Sequence, residues 1–361
     1  MTMKITKIQI EKFSIPFTEP FQVAFGLITD SESWTVKVMT DEGVYGLGSA
    51  APLGFVTGET MDTCYLVLKM LAEAMIGRDP MDIRGAHALM DGLIYGNGSA
   101  KCAIDTALYD IMGKKKGQPL YRLLGGTNPT VYNDITIGID EPAKMRAEAE
   151  KHVRERGFRI LKVKTGIDLQ RDIEALTQIR QAIGEEVRIR VDANQGYDLE
   201  TALTACKELE SLGIEAMEQP LPWWDFDGAA ELKRRNETTV ALMLDESIHS
   251  PHDASRAAKL QCADYYNIKL MKCGGLYHGL QIADIAEGAG VSCMVGCMQE
   301  NKISLTAGIS LVAAKKAIIE ADCDSFIFFP GDDDGIAGGF TREGGVFTLT
   351  EKPGLGIEAD F

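Results

Sequence analysis

Lys164, Asp192, Glu218, Asp245 and Lys269 each close a short apolar run. They are separated by 28, 26, 27 and 24 residues, close to what one strand, one helix and two loops consume in a β/α unit. The end of each strand therefore aims one reactive group at a common place. Three carboxylates flanked by two lysines are the inventory of a divalent-metal site with a base on either side. That combination predicts an enzyme.

Strand phase supports the same reading. Between Arg159 and Lys164, Leu161 and Val163 share one face and Lys162 and Lys164 the other, because side chains alternate along a strand. Between Val187 and Asp192, Ile189 and Val191 oppose Arg188, Arg190 and Asp192. Glu218 is in phase with Ile214 and Ala216, and Lys269 with Tyr265 and Asn267. Helices cover the outside of a (β/α) barrel, so that face must be apolar. The inner face can turn polar at the carboxyl ends, where active sites of this fold lie. One such lysine alone would read as an exposed edge-strand residue. Five groups in phase do not.

The elements that must position these groups can be traced along the chain. Residues 4–13, 34–40 and 44–50 read as strands of an antiparallel meander. Between the first two lies an expected loop, Pro16 to Ser33, with Phe17, Phe21, Phe25 and Gly26; a second, Ala50 to Glu59, carries Leu53 and Phe55. Residues 60–75, 80–92 and 99–123 have helical periodicity. Strands at 131–137, 160–164, 187–192, 214–217, 241–245, 264–269, 291–296 and 320–322 then alternate with helices at 141–156, 169–183, 198–212, 228–235, 251–259, 276–289 and 301–318. This predicts an α/β fold: a (β/α)7β TIM-like barrel over 126–325, capped by an α+β domain. The cap is expected from residues 1–125 together with the glycine-rich tail, 326–361, as hairpin turns returning to it.

At 361 residues the chain exceeds one usual core, as a barrel plus a smaller domain would. Its hydrophobic fraction of 45% and charged fraction of 25% are ordinary for a globular protein. A net charge of −16 argues against nucleic acid, which needs a basic patch. The same balance suits solubility or a cationic substrate. The eight cysteines form no CxxC pair and read as buried thiols of a reducing compartment. The start lacks a signal-peptide core, and no apolar run approaches membrane-spanning length, so a cytoplasmic protein is expected. Gly96 and Gly98 read as a turn into a helix, Lys114 to Lys116 as a solvated helix end, and Asp332 to Asp334 as surface. The five histidines fall on helices or helix starts, and none is assigned a catalytic role.

Lys162-Val-Lys164, Asp192-Ala-Asn194-Gln-Gly196, Glu218-Gln-Pro220, Asp245-Glu-Ser247 and Asn267-Ile-Lys269 together resemble the enolase superfamily, within its muconate-lactonizing subgroup. Ala103 to Asp110, Pro119-Leu120, Leu123 to Gly126 and Gly354 to Glu358 extend the likeness over essentially the whole chain. The resemblance implies a barrel capped by both chain ends. It also implies Mg2+, with Mn2+ the alternative, on Asp192, Glu218 and Asp245. Lys164 and Lys269 would act as bases, with Lys162 beside them and Asn194 and Glu246 behind the ligands. Oxygen-only donors suit those cations, and repulsion from Lys162 should lower the pKa of Lys164.

Asp322-Cys323-Asp324 resembles the dipeptide epimerases in particular, whose paired aspartates hold the α-ammonium of the substrate. Alternation places both carboxylates on one face, a charge-assisted clamp for a free amine. Val295 to Glu300, with Cys297 and Met298 as substrate contacts, resembles them too. The alanyl-glutamate epimerases are similar but carry an arginine in the first capping loop. Gly26 falls at that place, and no arginine precedes Arg78. Phe21, Phe25, Leu53 and Phe55 would then line an apolar specificity pocket. A cationic dipeptide is the other option, with Glu59 near the loop.

The activity expected is Mg-dependent epimerisation of a dipeptide at the α-carbon of its C-terminal residue, through an enediolate, by two lysines on opposite faces. Competing readings are a lyase or cycloisomerase of the subgroup, such as muconate cycloisomerase or o-succinylbenzoate synthase/N-acylamino acid racemase, and a Schiff-base aldolase using Lys269. A homo-oligomer is expected, with no nucleic-acid or membrane partner.

Overall fold

A computed structural model of the chain describes residues 2–24 and 26–358. It opens with three antiparallel strands paired in chain order, β1 (Ile5–Val23), β2 (Gly26–Thr40) and β3 (Tyr45–Ala50). Helices α1 (Met61–Met75), α2 (Ile83–Leu93) and α3 (Gly98–Lys116) follow, then a single turn, α4 (Leu120–Leu123). The side chains of Thr60 and Asp82 accept first-turn N–H groups of α1 and α2, which a helix cannot pair internally. The buried helix α3 lies directly on β3. A Cβ on Gly46 or Gly48 would stand 1.9 Å from a carbonyl oxygen of α3, so only glycine permits that approach.

Residues 16–24 and 26–33 are not the expected loop. They form the far half of a long hairpin, with Pro16 opposite Asp30 and Phe21 opposite Ile28. The register shifts between Pro16 and Phe21. Pro16 and Pro20 break the alternation that marks a strand, and the irregularity absorbs them. Phe25 lies outside the described residues.

The single strand expected over 131–137 is split into β4 (Thr130–Tyr132) and β5 (Ile135–Ile137). The barrel then runs α5 (Pro142–Arg154), β6 (Ile160–Lys164), α6 (Leu169–Ile183), β7 (Arg188–Asp192), α7 (Leu199–Ser211) and β8 (Ala216–Glu218). It continues through α8 (Phe226–Arg235), β9 (Ala241–Leu244), α9 (Pro251–Leu260), β10 (Tyr265–Lys269), the one-turn α10 (Leu270–Cys273) and α11 (Leu276–Ala289). It ends with β11 (Ser292–Gly296), α12 (Lys302–Ala314) and β12 (Ile318–Asp322). Strands β5 to β12 form one parallel sheet in chain order, a (β/α)7β barrel. The split at Asn133 and Asp134 seals it. Asp134 N donates to Ala321 O at 3.2 Å, and Cys323 N to Asn133 Oδ1 at 2.8 Å.

In the tail, β13 (Phe340–Glu343) and β14 (Val346–Leu349) form a hairpin whose second strand pairs with β4. Beyond it, Leu355 N donates to Asp110 at 2.7 Å, and Leu120 N to Gly354 O at 2.8 Å. The tail thus touches both the start of the barrel and α3. All eight cysteines are free thiols. Among the described residues, no helix is long and apolar enough to cross a membrane.

Candidate active site

Strand register makes neighbours of the reactive groups. Lys164 pairs with Asp192 across β6 and β7, and Asp192 with Glu218 across β7 and β8. Asp245 follows β9 directly, its N–H held by Gln219 Oε1 at 2.9 Å. Asp192, Glu218 and Asp245 each bring an oxygen within 4.8 Å of the others, all buried. Lys164 Nζ lies 2.6 Å from Asp192, and Lys269 Nζ 2.7 Å from Asp245. Strands β6 and β10 stand four places apart, with three strands between them, in an eight-stranded barrel, so the two lysines reach the carboxylates from opposite walls. Lys162 is 2.7 Å from both Glu218 and Asp322 and 3.1 Å from Asp192.

The charges are crowded and out of water. Burial would raise the Asp192 carboxyl, but Lys164 and Lys162 outweigh it and hold it down, at about 2. Burial together with the Asp192 charge pushes Glu218 up to about 7. Burial and the Asp245 and Asp192 charges push Glu246 up to about 8. Burial would lower Lys162, but Asp322, Glu218 and Asp192 hold its ammonium well above the ordinary value. Its charge is engaged by three carboxylates, and the Lys162 and Lys164 ammoniums converge on one oxygen of Asp192.

The trio suits a hard divalent cation. Its donors are all carboxylate oxygens, as such ions prefer. Around it Asn194 Oδ1, Glu246 Oε2 and Asn267 Oδ1 are buried without a hydrogen-bond partner among the described residues, which an interior tolerates only where something else satisfies them. Asn194 Nδ2 donates to Glu246 at 3.1 Å, its N–H to Asp192 at 2.9 Å, and Asn267 Nδ2 to Glu218 at 2.6 Å. These bonds fix the carboxylates that would bind the ion.

Asp322 ends β12, and Asp324 precedes the 3-10 turn Ser325–Phe328. Both are buried, and with Asp134 they bring three carboxylates within 4.8 Å. Burial and the Asp322 charge push Asp324 up to about 6 although Thr136 N donates to it at 2.6 Å. This pocket adjoins the trio through Lys162.

The chain matches two family models in sequence. Residues 5–125 match the mandelate racemase / muconate lactonizing enzyme N-terminal domain, and residues 144–361 the enolase C-terminal domain-like family. The chain belongs to the enolase superfamily. Over 359 residues it is 38% identical to an L-Ala-D/L-Glu epimerase of Clostridium acetobutylicum, covering 99% of each chain. It is 39% identical to a hydrophobic dipeptide epimerase of Enterococcus faecalis, covering 98% of this chain and 99% of that one. A crystal structure of a dipeptide epimerase from Enterococcus faecalis, complexed with Mg and the dipeptide L-Leu-L-Tyr, superposes with a TM-score of 0.95. It is 38% identical, and 99% of this chain and 100% of that chain are covered. The protein is an isomerase of this superfamily, which sets the Schiff-base aldolase reading aside.

In this enolase-superfamily chain the cap closes over the barrel mouth. Ile139 N donates to Gln22 O at 3.1 Å, Ser31 Oγ to Gln299 O at 2.8 Å, and the His249 ring lies 2.9 Å from Val56 O. Those barrel residues follow β5, β11 and β9. Phe21 is buried against Phe328, with ring centroids 4.4 Å apart. Gly26 and Phe55 meet at the rim, where Phe55 is exposed and Leu53 half-buried. Cys297, half-buried, and Met298, buried, follow β11.

Some expectations do not survive. Glu59 offers nothing to a cationic substrate: it is buried and accepts Ser99 N at 3.0 Å and Ala100 N at 3.3 Å, capping α3. The 332–334 run is not simple surface. Asp334 accepts Lys302 N at 2.5 Å, and Asp332 pairs with Arg156. Lys114 is tethered, not solvated, 2.7 Å from Asp110.

Asp134 and Lys272 escaped sequence reasoning. Lys272 Nζ is 2.5 Å from Asp245 Oδ1. Its signal was present in part: the one-turn helix that begins directly after Lys269 returns the third residue beyond it to the same side. Asp134 could have been found as a polar break in the apolar run 131–137.

Proposed function

We propose that the enzyme epimerises a dipeptide at the α-carbon of its C-terminal residue by a 1,1-proton transfer. The observation that carries this reading is the placement of Lys164 and Lys269 on opposite walls of one carboxylate trio. One lysine, as the neutral amine, takes the α-proton from its face; the other, as the ammonium, delivers a proton to the opposite face. One C–H bond breaks, another forms, and the configuration inverts. The residual difficulty is charge, because the carbanion sits beside an already anionic carboxylate. A Mg2+ held by Asp192, Glu218 and Asp245, or Mn2+ in its place, would stabilise that charge as it builds. Lys162 adds a fixed positive charge under the same place.

Asp134, Asp322 and Asp324 supply an acidic pocket beyond Lys162, matched to the free α-ammonium of a dipeptide. A substrate of the cycloisomerase or N-acylamino acid type has no such group and would leave three buried carboxylates with only Lys162 on Asp322, Arg190 on Asp134 and the Thr136 N–H on Asp324. At the rim, Gly26, Leu53 and Phe55 favour a hydrophobic side chain. The relatives at 38% and 39% identity carry names with different side-chain preferences, so the preference rests on these rim residues. The proposal extends to a cytoplasmic homo-oligomer, and to a cap formed by residues 1–125 and 326–361 around the barrel of 126–325. The test is proton NMR of L,L-dipeptides in heavy water. Deuterium should enter the C-terminal α-position and the L,D epimer should accumulate. Exchange confined to N-acylated amino acids would overturn the proposal.

A further inference from the structure

Away from the barrel mouth, two histidines are arranged as metal ligands are. His87 and Asp91 stand four residues apart on α2, hence on one helix face, and His278 lies in the first turn of α11. A ring nitrogen of each histidine and a carboxylate oxygen of Asp91 all lie within 4.8 Å of one another.

Both rings are set for coordination by what holds their other nitrogen. His87 Nε2 is 2.7 Å from Asp105 Oδ1. Asp105 is fully buried and also accepts Leu276 N at 2.5 Å and Tyr277 N at 3.3 Å. A carboxylate there accepts, so Nε2 carries the proton and Nδ1 is left with its lone pair. His278 Nδ1 is 2.9 Å from Cys273 O. A carbonyl can only accept, so Nδ1 carries that proton and Nε2 keeps the lone pair. Metal-bound histidines commonly donate their second nitrogen to a carboxylate or carbonyl, which fixes tautomer and ring orientation.

A hydrogen-bonded core histidine would account for half of this. It does not account for His87 Nδ1, which has no hydrogen-bond partner among the described residues although the residue is 1% exposed. Nor does a hydrogen bond close the cluster, since His278 Nε2 stands 3.8 Å from Asp91 Oδ2. Lys101 Nζ holds Asp91 Oδ1 at 2.7 Å, which leaves Oδ2 for another partner. Tyr277 stacks on His87 at 4.6 Å and closes one side. Asp91 is exposed, so an ion has a way in.

We propose a second metal site on His87, Asp91 and His278 that takes a late first-row divalent ion, zinc above all, and pins the cap helix α2 to the barrel helix α11. Two imidazoles and one carboxylate select such an ion over Mg2+, whereas the barrel trio offers oxygen alone. The two sites therefore sort metals by donor chemistry.

The test uses the full-length protein in saturating Mg2+, titrated with Co2+ as a spectroscopic stand-in for zinc. An imidazole-containing site of low coordination number gives intense visible bands; an octahedral all-oxygen site gives only faint ones. One equivalent per chain should develop the intense bands, and zinc should displace it. In His278→Gln and in Asp91→Asn, both nearer the surface than His87, the bands should vanish and zinc affinity fall by at least about tenfold. Zinc should raise the Tm of the parent protein and not of either variant. Absence of the bands in the parent protein, or their persistence in either variant, would overturn the site.

Discussion

A Cβ placed on Gly26 would lie 3.4 Å from Cζ of Phe55. The tip of the β1–β2 hairpin and the loop behind β3 therefore meet at the rim, and an aromatic ring stands where a longer side chain would have to pass. The expected ranking is a higher kcat/KM for L-Ala-L-Phe or L-Ala-L-Leu than for L-Ala-L-Glu or a lysine-containing dipeptide. Gly26→Arg should displace Phe55 and shift the ratio toward L-Ala-L-Glu by roughly tenfold or more, the scale of a rim charge contact. A parent enzyme that prefers L-Ala-L-Glu contradicts this reading of Gly26.

The lysines should separate by face. Lys164→Ala should abolish α-proton exchange from one epimer and Lys269→Ala from the other, read as deuterium incorporation from each pure diastereomer. Epimerisation should fail in both variants. A variant that still interconverts the epimers at the parent rate rules out the two-base scheme.

Removal of divalent metal should stop turnover, and Mg2+ should restore it. Asp192→Asn should lower kcat about 10²–10³-fold, as expected when one preorganised electrostatic contact to developing charge is lost. Added Mg2+ should raise the Tm of the parent protein, since an ion that binds only the folded state stabilises it by mass action. Full activity in excess EDTA would defeat the assignment.

N-acetylation of the substrate should be costly. Removing the ammonium takes a cation from Asp322 and Asp324 and leaves them Lys162 and the Thr136 N–H as partners; losing one member of a buried hydrogen-bonded charge pair commonly costs about 2–5 kcal/mol. The same loss should appear for Asp322→Asn acting on the free dipeptide, and much less of it on the acetylated one. Equal kcat/KM for free and acetylated substrate would show that the pocket holds something else.

Asp110 joins three distant parts of the chain. Its carboxylate accepts Leu47 N at 2.9 Å, Leu355 N at 2.7 Å and Lys114 Nζ at 2.7 Å, fully buried. Asp110→Ala strands those donors and should destabilise the fold by about 3–5 kcal/mol, measured by urea unfolding. A change under about 1 kcal/mol would show that water replaces the contacts.

Local pattern alone determined much of this protein. Helices at 169–183 and 276–289 were legible to the residue, because Asp168 caps the first and Gly290 ends the second in the left-handed conformation. The trio and its lysines were legible because each interrupts an apolar strand at its carboxyl end, and the period of 2 then states which way it points. Tertiary structure alone decided the rest. Asp134 becomes part of the acidic pocket only when β5 closes against β12, and Thr136 meets Asp324 from 188 residues away. Glu59 turns from a candidate recognition group into a helix cap because the start of α3 happens to lie beneath it. The segments 16–23 and 26–33 pair as a hairpin despite two prolines, since cross-strand partners outweigh the local break. His87 and His278 carry no joint signal along 191 residues of chain. A sequence displays the period of an element and the residues at its ends. Which ends are brought together is settled by closing the barrel and seating the cap, and those contacts leave no periodic trace.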